Sequence, residues 1–334
     1  MASDASQGES LERQQSLPTL PSKLTLDYLK KITNDFSSDR ELGHSEFGTY
    51  YKGIRGNGDI LAVKKLAENS PLPRKKTFEN EVTNLMKLRH ENITELVSFC
   101  REAQMTLDQR QGRYVAVHVD ESLLCYKYLS NGSLDQHLFD EGHNKIDWDK
   151  RFKIIKGICQ GLRFLHKELD RPLVHMNLVP SSIWLDDNWV PKIADFGLSR
   201  LFGQEQTQVY TKNVVGQHGY MAPEYLFNGE ITTGLDIYSL GMIILEIVTG
   251  ERNGANRQDR AATKFVDKVR QDWKTDDDIT CKYPSLTVFG LEQVKACIVI
   301  ALKCLEVDQN KRPSIEDIID KLNGKFVPIF QQHE

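Results

Sequence analysis

The sequence predicts an α+β chain in two lobes, a small strand-rich one followed by a larger helical one. Three observations predict it. Between residues 36 and 127, short apolar runs alternate with polar residues around glycine turns, as half-buried strands do. From Leu134 onward, apolar residues recur at three- and four-residue spacing, as on one face of a helix. And 334 residues, 40% of them hydrophobic, suffice to bury one large core or two smaller ones.

In chain order, residues 1–23 are rich in Ser, Gln, Glu and Pro and have no apolar centre, so they read as a disordered tail and not as a secretory signal. With Ala2 standing where a glycine would be needed, no N-myristoylation is expected. Residues 24–36, "LTLDYLKKITNDF", form a short amphipathic segment. "RELGHSEFGTYYKGI" and "DILAVKKL" read as strands, with Asn57-Gly58 as the hairpin turn. "RKKTFENEVTNLMKLRH" places Phe78, Val82, Leu85 and Met86 on one helical face. "NITELVSFC" and "ESLLCYKYL" are two more strands. Between them lies a polar excursion, residues 101–120, read here as a surface loop. The alternation in "RYVAVHVD" leaves an extra strand or an extended hairpin as the other reading.

In the helical half, "DWDKRFKIIKGICQGLRFLHKEL" starts on Asp147 as N-cap and lines up Trp148, Phe152, Ile155, Cys159, Leu162 and His166. "DIYSLGMIILEIVTG" is apolar almost all round, which marks a helix at the centre of a domain, closed by Gly250. "LEQVKACIVIALKCL" and "SIEDIIDKL" make a last helical pair ending near Leu322. The expected division is a tail (1–23), an N-lobe with an N-terminal extension (24–127), a C-lobe (128–326) and a short C-terminal tail (327–334).

A formal charge of −4 gives no bias toward nucleic acid or an anionic membrane. The longest apolar run, "LGMIILEIV", falls far short of the ~20 residues a membrane helix needs. Cys100, Cys125, Cys159, Cys281, Cys297 and Cys304 include no C-x-x-C pair and no zinc spacing. Each lies in an apolar run, so all six are expected to be buried free thiols of a reducing compartment. The chain is expected to be cytoplasmic, with no nucleic-acid partner and no membrane span.

Short motifs then follow one another in a fixed order: "LGHSEFGTYYKG", "LAVKK", "FENEV", "HMNLVPSS", "DFG", "GYMAPEY", "DIYSLG" and "KRP". Each alone is weak. Together, over about residues 36–322, they resemble the protein-kinase signature set. "NGSLDQHLF" and "GYMAPEY" are similar to the plant receptor-like Ser/Thr kinases in particular. The resemblance implies a bilobal protein-kinase-like fold. It implies that Lys64 contacts the α and β phosphates of ATP, that Glu81 is its helix partner, and that Asp195 holds Mg. Leu42, Gly43, Ser45, Gly48, Tyr50, Ala62 and Tyr128 fall at cleft-lining positions. Glu224 and Arg312 match a buried ion pair, and Asp236 matches a support beneath the catalytic loop.

The departures from the pattern are concentrated in the chemistry. Against H-R-D-L-K-P-x-N-I this chain has "HMNLVPSSI". Asn177 stands at the position of the catalytic base, and a neutral amide cannot take up a hydroxyl proton; general-base assistance is typically worth ~10²–10⁴-fold. Val179 replaces a lysine that would neutralise the moving phosphoryl group. Ser182 replaces the asparagine that holds the second Mg, and its shorter hydroxyl is a weaker metal candidate. Met176 replaces the arginine that would anchor a phosphorylated Thr207, Tyr210 or Thr211. Ser45 adds a Cβ to the glycine-rich loop, Tyr50 replaces the valine over the adenine, and Gln217 replaces a bracing threonine. His175, Leu178, Pro180, Ile183 and Leu185 keep the apolar frame.

Two functions remain open at this point. One is a pseudokinase, a scaffold or regulator with little or no phosphoryl transfer, for which ATP and Mg binding is an open question. The other is a weakly active Ser/Thr kinase that relies on positioning and a single magnesium. Either implies protein partners among signalling kinases or receptors, with any membrane association arising through those partners.

Overall fold

The computed structural model describes residues 20–110, 112–139, 146–255 and 262–324. The first half is built on one six-stranded sheet, preceded by a helix. Its elements are β1 (Ser22–Lys23), α1 (Leu26–Thr33), β2 (Glu41–Ser45), β3 (Gly48–Ile54), β4 (Ile60–Leu66), α2 (Arg74–Leu85), β5 (Leu96–Arg110) and β6 (Arg113–Lys127). The strand order is β1-β5-β6-β4-β3-β2, antiparallel except for the β1–β5 pair. Asn57-Gly58 sits in the β3–β4 turn as expected, with Gly58 N–H donating to Arg55 O.

The two-residue period of β4 decides which side of the sheet each side chain serves. Leu61 and Val63 join Cys100, Leu123 and Cys125 on the outer face, where Leu26, Leu29 and Ile32 of α1 cover them. Ala62 and Lys64 have the opposite parity and face α2 and the second half of the chain. Tyr50 of β3 is the direct cross-strand partner of Lys64. It therefore shares that face.

The second half is helical. It comprises α3 (Leu134–Leu138), α4 (Trp148–Arg163), β7 (Leu173–Val174), β8 (Ile183–Leu185), β9 (Pro191–Ile193), β10 (Arg200–Leu201), β11 (Val209–Tyr210), α5 (Pro223–Asn228), β12 (Glu230–Ile231), α6 (Gly234–Thr249), α7 (Thr263–Asp272), α8 (Asp276–Lys282), α9 (Val288–Cys304) and α10 (Ile315–Leu322). Asp147 caps α4, accepting from Lys150 N–H at 2.9 Å. Every residue of α6 from Leu235 to Val248 is buried, and Gly250 ends the helix in the left-handed region at φ +71°. Gly241 lets α9 approach closely: a Cβ there would stand 2.7 Å from Cys304 Cβ and 2.9 Å from Ala301 O.

The structure corrects four expectations. Residues 101–120 are not a loop: after a register shift between Leu96 and Ser98, β5 and β6 continue in register from Ser98–Cys125 to Arg110–Arg113, and only Leu123–Lys127 pair onward with β4. The alternation outweighed polarity there, because pairing satisfies the inward-facing backbone N–H and C=O groups that a loop would leave to water. The tail expected to run to Lys23 ends earlier, since Ser22 and Lys23 pair with Ser98 and Phe99. The rest of that tail, residues 1–19, and the C-terminal tail at 327–334 lie outside the described residues. Cys281 is exposed on α8, whose inner face is carried by Ile279, whereas the other five cysteines are buried. Helices α7 and α8 were not anticipated. Their polar, acid-rich sequences hide a buried side made only of Phe265, Val266, Val269 and Ile279.

Candidate functional site

The site lies where the inner face of β4 meets the turn after β9. Lys64 is fully buried, and its ammonium donates to Glu81 Oε2 at 2.9 Å, Glu81 Oε1 at 3.2 Å and Asp195 Oδ1 at 2.5 Å. Glu81 gets there because it shares an α2 face with the buried Phe78, Val82 and Leu85. Asp195, Phe196 and Gly197 form a tight turn against α2. Asn80 Nδ2 donates to Gly197 O at 3.0 Å, and a Cβ at Gly197 would lie 2.5 Å from Thr77 Cγ2. Burial pushes Lys64 toward the neutral form, but the carboxylates of Asp195 and Glu81 outweigh it and keep the ammonium protonated.

Two tyrosines complete this cluster. Tyr126 of β6 donates its hydroxyl to Glu81 Oε1, and Tyr50 donates to Asp195 Oδ1 at 2.5 Å. Burial, followed by the charges of Asp195 and Glu81, holds the Tyr50 phenol well above its ordinary pKa, so it stays neutral and donates. The Tyr50 ring packs on Trp184 of β8 with centroids 4.7 Å apart and on Tyr126 at 6.1 Å, and Lys64 Nζ lies 5.5 Å from its centroid. Tyr50 and Trp184 are 3% and 4% exposed. They come from opposite halves of the chain and meet across the cleft between them.

The glycine-rich turn is lowered onto the helical half. Gln136 Nε2 of α3 donates to Leu42 O at 2.9 Å, and a Cβ on Gly43 would lie 3.2 Å from that same nitrogen and 4.0 Å from the Trp184 indole. Phe47, at the tip of the turn, is fully buried. Ser45 keeps its hydroxyl inside the turn, accepting from Phe47 N–H at 3.3 Å. Gly48 has no room for a side chain, since a Cβ there would collide with Lys65 O. Ala62 is buried beside this cluster, while Tyr128, half-buried, lies under the Lys52 ammonium at 5.6 Å.

The loop at residues 175–182 is braced from below by Asp236. Its carboxylate accepts from His175 N–H at 2.8 Å, Met176 N–H at 2.9 Å and His166 Nε2 at 2.8 Å. Burial would raise its pKa, but the His166 bond and the neighbouring imidazoles outweigh that and keep it below the ordinary carboxylate range. This bracing holds Met176 in the left-handed region at φ +65°, a conformation that non-glycine residues rarely adopt. Asn177 and Val179 are buried, at 5% and 3% exposure. The Ser182 hydroxyl accepts from Val179 N–H at 3.0 Å and donates to Val179 O at 2.8 Å. Its proton and one of its two lone pairs are thus engaged inside its own turn, leaving a single lone pair for the metal role considered from sequence.

Farther along, Glu224 and Arg312 form the expected bidentate pair, at 2.6 and 2.8 Å. Tyr210 is 60% exposed.

This two-lobed frame, with its Lys–Glu–Asp cluster and its braced loop, defines a class of protein. Residues 36–322 match the protein kinase domain, and the chain belongs to that family. Its relatives are plant receptor-like kinases. Cysteine-rich receptor-like protein kinase 25 of Arabidopsis thaliana is 35% identical over 303 residues, covering 90% of this chain and 42% of that protein. Cysteine-rich receptor-like protein kinase 44 of the same plant is 34% identical over 307 residues, covering 90% of this chain and 76% of its own length. The G-type lectin S-receptor-like serine/threonine-protein kinase SRK, also from Arabidopsis thaliana, is 35% identical over 302 residues, with 88% and 33% covered. The chain thus spans less than half the length of most of these relatives. Among the described residues, no helix is long and apolar enough to cross a membrane.

Protein kinase domains in general bind ATP and Mg. The cleft in this arrangement does not fit them. All three ammonium N–H groups of Lys64 point at protein carboxylates, the Tyr50 phenol lies on Asp195, and two aromatic rings meet where a base would lie between the halves. One feature fits a cation: Asp195 Oδ2 is buried without a hydrogen-bond partner.

The structure brings Lys64, Glu81, Asp195 and Tyr50 into direct contact, and it adds Trp184, Tyr126 and Gln136, which sequence reasoning missed. The only sequence signal for Trp184 was an indole in the short strand "IWL", with nothing local to name the ring it meets.

Proposed function

We propose that this chain acts as a protein-kinase-fold signalling regulator or scaffold with negligible phosphoryl transfer. The observation that carries this reading is the loop at 175–182. It has an amide at Asn177, an apolar side chain at Val179, and at Ser182 a short hydroxyl hydrogen-bonded to the Val179 backbone. Losing the base alone costs roughly 10²–10⁴-fold, and the lysine and the second metal ligand are lost with it. The intact frame is what a scaffold needs. Its partners are then protein surfaces, of signalling kinases or receptors, met in the cytoplasm or at a membrane through those partners.

A second reading is supported by the Lys64–Glu81 pair and the docking of α2 on Gly197. These are positioning features, and phosphoryl transfer leans on positioning, so a weak Ser/Thr kinase is the alternative. Purified chain is incubated with γ-labelled ATP, Mg or Mn and a generic protein substrate, beside Lys64→Ala. The regulator reading expects incorporation no higher than in Lys64→Ala. Robust labelling that disappears in Lys64→Ala gives the function to the second reading.

A further inference from the structure

We propose that Tyr50 and Trp184 are a built-in substitute for nucleotide: their rings fill the cleft, and the Tyr50 hydroxyl takes the place of the metal–phosphate group on Asp195. This deepens the regulator reading and rests on it. It makes the closed arrangement of the two halves independent of ATP.

Four observations converge. First, the cross-strand pairing of Tyr50 with Lys64 directs the phenol along the inner face toward Asp195, which it reaches at 2.5 Å. Valine at the same place could not reach it. Second, each carboxylate of the cluster is capped by its own tyrosine, Glu81 by Tyr126 and Asp195 by Tyr50, while Lys64 bridges the two. No step of this assembly calls for a ligand. Third, the turn above is tied down by protein groups alone, through Gln136 on Leu42 O, the approach of Gly43 to Trp184, and the burial of Phe47. Fourth, one buried ammonium is shared between two buried carboxylates, so no positive charge is left over for a phosphate. A polyphosphate arriving there meets no compensating charge in a low-dielectric setting unless a cation comes with it. The buried, unpartnered Asp195 Oδ2 is where such a cation would act, which is why the experiment has a magnesium arm.

The test is a thermal-shift titration of the full chain with ATP, with and without Mg. A cleft open to ATP with a Kd of about 50 µM would raise Tm by several degrees at about 5 mM. The wild-type chain is expected to show no shift in either arm. Tyr50→Val combined with Trp184→Leu is expected to restore a Mg-dependent shift, with folding checked by circular dichroism and a cooperative melt. Should that pair fail to fold, Tyr50→Val alone carries the same expectation. A shift in the wild-type chain overturns the proposal, as does a folded variant that stays blind to ATP. Wild-type binding without phosphate incorporation would sink the plug and leave the regulator reading standing, whereas incorporation would sink the regulator reading itself.

Discussion

Tyr50 makes one hydrogen bond to a buried carboxylate, and its removal isolates that bond. Tyr50→Phe keeps the ring on Trp184 and takes away only the donor, leaving Asp195 Oδ1 with Lys64. The expected loss is about 1.5–3 kcal/mol, the usual worth of a hydrogen bond to a charged group. Urea denaturation should show a lower midpoint at unchanged slope; an unchanged midpoint would mean the bond contributes nothing. Glu246 on α6 offers a second residue-scale test. Burial pushes its carboxyl up to about 7 from 4.5, against hydrogen bonds from Asn253 N–H and the Tyr220 hydroxyl. The folded state therefore holds a proton that the unfolded state releases between those two values. Its contribution is full below pH 4.5 and fades as pH rises through about 7, by up to about 3 kcal/mol. Glu246→Gln should flatten that fall when stability is compared at pH 5 and pH 8. An equally steep fall in the variant would assign the effect to other groups.

At the scale of elements, the β5–β6 ribbon stands apart from the sheet that roots it. Among the described residues its ladder has no third strand beyond Leu123, and Met105 and Tyr114 are 68% and 70% exposed. A two-stranded ribbon is marginal by itself, so its outer part adds little to the fold. Replacing residues 106–117 with a two-residue turn should leave the melting temperature within about 2 °C, a change of roughly 0.5 kcal/mol. A large drop would show that the ribbon braces the fold. The element scale also shows why some features were readable in the sequence and others were not. Asp147 and Gly250 follow from local rules, a cap and a left-handed stop, whereas the pairing of Lys64 with Glu81 came from the resemblance in motif order. The ribbon needed alternation to be weighed above polarity. Trp184 was harder still, because its role depends on a ring from a distant strand, and no local pattern encodes a contact across a cleft.

At the scale of the molecule, the segment that runs from Asp195 to Glu224 is clamped to the helical half by Arg312, which also donates to Glu306 O and Gly234 O. Arg312→Met would leave a buried carboxylate unpaired, at an expected cost of about 3–5 kcal/mol in chemical denaturation. Adding Glu224→Gln should recover a good part of that loss, and a double variant no more stable than the single one would argue that the pair is not the source. These residues and the whole order of motifs were legible because they are a frame, and a frame is written in many short, locally regular pieces. The cleft filling was not, because it is a property of two side chains meeting, and Tyr50 by itself marked only a replaced valine.

The cover that α1 lays on the outer face of the sheet bears on where this protein can be trimmed. The kinase homology begins at residue 36, yet the helix that seals Leu61, Val63, Cys100, Leu123 and Cys125 ends at Thr33. A version cut at the homology boundary would bare a greasy sheet surface with two thiols on it, prone to sticking to its own copies. The preceding dozen residues are therefore best counted as the lid of the small lobe, and any excised fragment should start no later than Ser22.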